Sequence, residues 1–168
     1  MTITVETGSG SNSAANSYAS VATLQAYATA RGFTLPGTDV ACEILLIKAM
    51  DYIEALRDRF QGYKSRQSQP LQWPRAFVWV DGYPIATTDI PAQLVHAQCE
   101  LAIIAYTTDL MPTISPTDVG PAKRKRVEGA VDVEYFEAPG KRTQPLFVRA
   151  EALINAICRP VASRLIRA

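Results

Sequence analysis

Between Leu71 and Pro91 the chain reads LQWPRAFVWVDGYPIATTDIP, and no other stretch restricts the fold as much. It holds both tryptophans, Trp73 and Trp79, and three prolines. Each proline fixes its own φ, removes a backbone donor and pushes the preceding residue into extended geometry. Trp73 before Pro74 and Tyr83 before Pro84 are therefore expected to be extended. No helix can run through such a segment, and its large apolar side chains must anchor somewhere. It predicts a rigid loop dividing two helical halves. Asp81-Gly82 is a turn signal within it. Phe77 to Val80 reads as a short edge or irregular strand. Thr88-Asp89-Ile90-Pro91 reads as a helix start, with Thr88 or Asp89 as cap and Pro91 in the first turn.

Apolar periodicity places four helices around that loop. Ser20 caps the first, over 20–31, with Val21, Leu24 and Ala28 on one face and Gly32 after its end. Thr38 or Asp39 caps the second, over 39–60. Its stripe is Ala41, Leu45, Ala49, Tyr52, Leu56 and Phe60, widened by Ile44 and Ile47. Asp51, Glu54, Arg57 and Asp58 read as its solvated flank. The third, over 91–110, is apolar around most of its circumference, which predicts a central helix or one at a subunit contact. The fourth, over 145–158, has Leu146, Ala150, Leu153 and Ile157 on one face. The predicted fold is mainly α: a small bundle of three to four helices with a long Pro/Trp loop and a minor β-hairpin or extended arm.

The remaining segments read as extensions of a single domain, 1–168. Residues 1–19 are a short strand followed by a Gly/Ser/Asn-rich flexible arm. Residues 20–110 are the helical core, with the Trp/Pro loop at 61–90. Residues 111–144 form the β arm, in which Val131, Val133 and Tyr135 alternate with acids and Gly129 offers a turn. Residues 145–168 are the last helix and a basic tail with Arg159, Arg164 and Arg167. Lys123-Arg124-Lys125-Arg126 is the only run of one charge sign. It fits contact with DNA phosphate or a solvated, salt-bridging loop.

Composition narrows the function classes. A net charge of +1 argues against binding by global electrostatic attraction to nucleic acid or membrane. Three widely spaced cysteines, Cys42, Cys99 and Cys158, read as reduced core thiols in a cytosol-like compartment. No signal-peptide pattern and no membrane-length apolar run stands out. One histidine, His96, has no neighbours at ligand spacing, so no metal is expected. The glycine-rich loop has neither G-x-G-x-x-G nor a P-loop lysine, so no nucleotide cofactor is expected. Without a nucleophile elbow or a buried carboxylate pair, the expectation is a protein that is not an enzyme.

Several sequence blocks recur in a recognisable order. They are Val5-Glu6-Thr7-Gly8 followed by Asn16-Ser17-Tyr18, then Leu71-Gln72-Trp73-Pro74-Arg75, then Val80-Asp81-Gly82. Ile90-Pro91 follows, with a helix carrying Ala97, Glu100, Leu101 and Ala102. Last are Arg126-Val127-Glu128-Gly129 and Val133-Glu134-Tyr135. From about Val5 to Arg159 the chain resembles the head–tail adaptor (connector) proteins of tailed bacteriophages, a type also labelled DnaT-like single-stranded DNA-binding proteins. The adaptor resemblance implies a structural protein of the virion neck that docks on the portal as a closed ring of about twelve copies. Portal protein, tail or stopper protein and neighbouring copies would be its partners, with genomic double-stranded DNA passing through the ring. Trp73, Arg75, Trp79, Val131, Val133, Tyr135, Arg159, Arg164 and Arg167 would then lie at protein contacts, and Lys123 to Arg126 would face DNA. The alternative label implies a phage replication protein. There Trp73, Trp79, Tyr83 and Phe77 near Arg75 would stack on bases, although their bracketing by prolines fits packing over the helix junction better.

Overall fold

The computed structural model describes residues 2–112, 124–126, 132–134 and 146–159. Among them are four α-helices: α1 (Val21–Thr29), α2 (Asp39–Ala55), α3 (Ala92–Ala105) and α4 (Val148–Asn155). The strands are β1 (Tyr63–Lys64), β2 (Arg75–Ala76), β3 (Trp79–Val80), β4 (Tyr83–Pro84), β5 (Arg124–Arg126) and β6 (Asp132–Glu134). They pair antiparallel as β1 with β2, β3 with β4 and β5 with β6. The fold is mainly α, as the periodicity predicts. The chain separates into two units, residues 1–110 with 147–168, and residues 111–146.

The first unit contains all four helices found among the described residues. Ser20 Oγ accepts the Thr23 N–H at 3.0 Å and starts α1 as expected. The helix closes early, because Gly32 N–H reaches Thr29 O at 3.2 Å and Phe33 N–H reaches Ala28 O at 2.9 Å. Thr38 Oγ1 caps α2 by accepting the Ala41 N–H at 3.4 Å. This helix does not run to Phe60. It ends at Ala55 and passes through a single 3-10 turn, Arg57–Arg59. Phe60 leaves the helical path because it has better partners elsewhere. Its backbone bridges Cys158, and its ring packs edge-on to Trp73 with centroids 5.8 Å apart. Ile44, expected on the apolar stripe, is exposed.

Helix α3 is central and packs on α1, α2 and α4. Leu94, Ala97, Cys99, Leu101 and Ala102 are completely buried on it, and a buried Leu or Ile contributes about 1.5–3 kcal/mol. Pro91, not Thr88 or Asp89, occupies its cap position, and no side chain caps it. Helix α4 buries Ala150 and Ile154 and leaves Leu146, upstream of its start, exposed.

Residues 2–19 fold back onto the body where a loose arm is expected. Glu6 N–H donates to Ser17 O at 2.8 Å and Asn16 N–H donates to Thr4 O at 2.9 Å. The buried Glu6 carboxylate accepts from Gly8 N–H at 2.8 Å and Gly10 N–H at 3.1 Å. Gly8, at φ +106, lies where a Cβ would come within 1.7 Å of the Thr88 carbonyl oxygen, so only glycine permits this approach. Gln98 is the main tether. Its Oε1 accepts the Tyr18 N–H at 2.9 Å, and its Nε2 donates to Ser17 Oγ at 2.8 Å and to Leu46 O at 3.0 Å. One buried amide thus joins the N-terminal segment, α2 and α3.

In the second unit, Arg124 is opposite Glu134, Lys125 opposite Val133 and Arg126 opposite Asp132. Arg124 to Arg126 of the basic run thus form one strand of an antiparallel pair, whereas the expected hairpin begins at Val127; the connection between the two strands lies outside the described residues. Lys123, Val131, Tyr135, Arg164 and Arg167 lie outside the described residues.

Candidate functional site

The loop from Gln61 to Pro84 has a buried half and an exposed half. Trp73 is fully buried. Its backbone N–H donates to the Tyr18 hydroxyl at 3.2 Å, and that hydroxyl donates to the Glu54 carboxylate. Both oxygens of Glu54 also accept the Gln72 N–H at 3.0 Å. Glu54 is thus not part of a solvated flank. Burial pushes its carboxyl above the usual range, offset in part by these donors. Burial, then the Glu54 charge, pushes the Tyr18 hydroxyl well up.

Arg75 is also internal. Nε donates to Gln61 O at 2.7 Å, Nη2 to Gly62 O at 2.8 Å and Nη1 to Gln72 Oε1 at 3.1 Å. Burial, then the nearby Arg159 charge, lowers its pKa. Gly62, at φ +59, allows the strands to close, since a Cβ there would meet Ala76 O at 1.8 Å. Trp73 and Arg75, expected at an interface, instead form the scaffold of the loop. The carbonyls of residues 61, 62 and 72 need donors, and the guanidinium supplies them from inside.

The other half turns its rings to solvent. Phe77 is 70% exposed, Trp79 55%, Tyr63 59% and Tyr83 75%, while Val78 between the first two is buried. Phe77 has φ +60, a conformation that costs a residue with a Cβ about 1–2 kcal/mol. Its ring lies against Tyr63, with centroids 5.2 Å apart and planes at 35°. Gln61 fixes Trp79 from both sides of its backbone, accepting its N–H and donating to its carbonyl, each at 3.1 Å. Asp81 (φ 53) and Gly82 (φ 83) make a tight two-residue turn joining β3 and β4. These aromatics do not pack over the helix junction. They are exposed to solvent instead.

Positive charge accompanies them. An open depression of about 720 Å³ is lined by Arg57, Asp58, Tyr63, Lys64, Gln72, Arg75 and Arg159, three arginines and one lysine with a single acid, Asp58, among them. Arg159 is exposed, and its Nε donates to Phe60 O at 3.1 Å. Arg57 meets Asp58 at 3.8 Å, both solvent-exposed, and such pairs contribute little. Across Tyr63 lies a second depression, lined by Ser9, Ser65, Arg66, Thr87 and Thr88.

Sequence reasoning puts Trp79 and Arg159 at contacts and Lys64 and Arg66 in a polar, basic surface loop from Tyr63 to Pro70, but it does not bring Tyr63 and Lys64 into one depression with Arg159. The signal was present in Tyr63-Lys64-Ser65-Arg66, which alternates aromatic, basic and hydroxyl side chains. Elsewhere, His96 lies against Tyr27, ring centroids 5.1 Å apart. The three cysteines are buried, and burial pushes the Cys99 thiol to about 12. Among the described residues no group of His, Cys, Asp and Glu is placed to hold a metal, and no helix is long and apolar enough to cross a membrane.

The whole chain, residues 1–168, matches the sequence model of a family described as "Putative DnaT-like ssDNA binding protein", and the chain belongs to that family. No curated protein and no solved structure matches it.

Proposed function

We propose that this member of the DnaT-like family binds single-stranded nucleic acid across the exposed half of the Trp loop, with Tyr63, Phe77 and Trp79 as stacking platforms. The observation that carries this reading is Phe77. The chain holds a large ring in water at a backbone angle that side chains avoid, and such outliers cluster at working surfaces. Bases stack on aromatic rings irrespective of sequence, at about 1–3 kcal/mol per base. The neighbouring Lys64 and Arg159 supply the local charge that a net +1 does not. Binding is then weak and salt-sensitive, with dissociation constants of about 10⁻⁴–10⁻⁶ M.

Fluorescence anisotropy of a labelled oligo(dT) at low salt tests it. The full chain binds and double-stranded DNA of the same length competes poorly. The double substitution F77A/W79A abolishes binding while the fold persists. Absence of binding by the unaltered chain would falsify the reading.

A second reading, the head–tail adaptor, draws support from the separation of residues 111–146 as a unit with its own β5–β6 pair. A strand pair of that kind suits strand addition to a neighbouring copy. On this reading the exposed aromatics meet portal or tail protein, and the protein works in the virion neck. Electron microscopy of the chain mixed with its portal protein separates the two: a ring supports the adaptor, and no ring removes it.

A further inference from the structure

Arg66 is set up differently from an ordinary surface arginine. Its backbone N–H donates to Gln69 Oε1 at 2.9 Å, and its Nε donates to Ser9 O at 3.0 Å. Gln69 is itself buried and braced, with Nε2 donating to Leu71 O at 2.9 Å and Pro74 O at 3.0 Å. The guanidinium is therefore tied at its inner edge to two folded segments, the N-terminal loop and the Trp loop. Among the described residues neither of its terminal Nη groups meets a carboxylate or a carbonyl. The side chain is exposed. A planar fork fixed through Nε with both outer nitrogens open is the geometry that grips an oxyanion bidentately.

The surroundings have the same chemistry. Arg66 shares its depression with Ser9, Ser65, Thr87, Thr88 and Tyr63. Ser9 Oγ accepts from Ser11 N–H and Ser11 Oγ, which leaves its own proton to donate. Thr87 Oγ1 has no partner among the described residues, whereas Thr88 Oγ1 is turned to Asp89 and Ser65 Oγ donates to Thr87 O at 2.8 Å. Two hydroxyl donors and a guanidinium fork thus surround one concavity. Tyr63 also lines the depression that holds Arg159, whose Nε is tied to a carbonyl in the same way. One aromatic therefore stands between two arginines, each anchored through Nε.

We infer that Arg66, with Ser9 and Thr87, forms a phosphate seat for the backbone of a single strand, on the far side of Tyr63 from Arg159. It rests on the nucleic-acid reading above and adds the path of the strand to it. A phosphodiester sits at Arg66, a base stacks at Tyr63 and Phe77, and the strand continues toward Arg159. The N-terminal loop, by this assignment, is part of the binding surface, because Ser9 O positions the fork.

The test is the salt dependence of oligo(dT) binding to the full chain and to R66Q, R66K, T87V and F77A, with thermal unfolding of each as a folding check. A single-strand contact contributes about 0.7 to the slope of log Kobs against log salt. R66Q lowers that slope by about 0.7 and weakens binding several-fold. R66K keeps the slope but still loses affinity, because lysine has no Nε tie and no fork. T87V, a milder change, weakens binding about two- to threefold with the slope intact. F77A weakens binding with the slope intact. If the unaltered chain binds and R66Q changes neither affinity nor slope, the seat is wrong and the aromatic surface stands. If the unaltered chain fails to bind at all, both are overturned.

Discussion

Trp73 and Trp79 are six residues apart in one loop and have opposite fates. Trp73 is sealed between Phe60 and the Tyr18–Glu54 pair. Trp79 is half out in solvent on a two-residue hairpin. Hydrophobicity does not separate them, since the side chains are identical. Backbone partners do. Gln72 and Trp73 offer their N–H groups to a carboxylate from α2 and a hydroxyl from the N-terminal segment, whereas Trp79 is held through the Gln61 side chain. The difference teaches that one half of the loop is scaffold and the other is surface. Substitutions in the two halves should therefore change different observables.

The largest effect belongs to the buried half. Trp73→Ala removes the biggest core side chain and costs about 3–5 kcal/mol of stability, read as a shifted midpoint in urea. Oligonucleotide binding falls only in proportion to the unfolded fraction. In the exposed half, Phe77→Ala and Trp79→Ala reverse that pattern. Each weakens binding by about 1–3 kcal/mol and changes stability by less than about 1 kcal/mol. A Trp79→Ala chain that unfolds like Trp73→Ala would erase the distinction.

Glu54 sharpens the comparison through pH. Its folded pKa is raised by burial, so the folded chain binds more protons than the unfolded chain between the two values. The contribution of this carboxyl is greatest below its unfolded pKa and declines as pH rises through the folded pKa. Glu54→Gln has no such titration. The stability of the natural chain relative to Glu54→Gln therefore declines as pH is raised from about 4, measured by urea unfolding at each pH. Binding by the exposed aromatics follows the folded fraction only. The smallest effect is at Phe77. Phe77→Gly is more stable than Phe77→Ala by about 1 kcal/mol, because glycine accepts a positive φ that alanine resists.

Much of this architecture is legible in the residues. Ser20 and Thr38 cap their helices, Asp81-Gly82 turns the hairpin, and the apolar run around Leu101 becomes the central helix. What is not legible depends on long-range polar contacts. Glu54 looks like a surface acid because its partners, Tyr18 and the Gln72 N–H, are far away in sequence. The glycine-rich segment looks like a free arm because periodicity cannot show that Glu6 ties its glycines or that Gly8 packs on Thr88. Arg75 reads as a surface charge and proves to be an internal donor to carbonyls. Rigid loops whose order comes from such contacts, rather than loose extensions, carry the candidate surface.

Because the sequence has only two tryptophans, their emission reports on each half of the loop separately. The decisive measurement is tryptophan fluorescence of the Trp73→Phe chain, in which Trp79 is the sole tryptophan, during titration with oligo(dT) at low salt. Saturable quenching by about 100 μM strand, reversed by added salt, is the predicted result. Trp79 emission that stays constant while anisotropy reports bound strand would contradict the assignment of the exposed half as the binding surface.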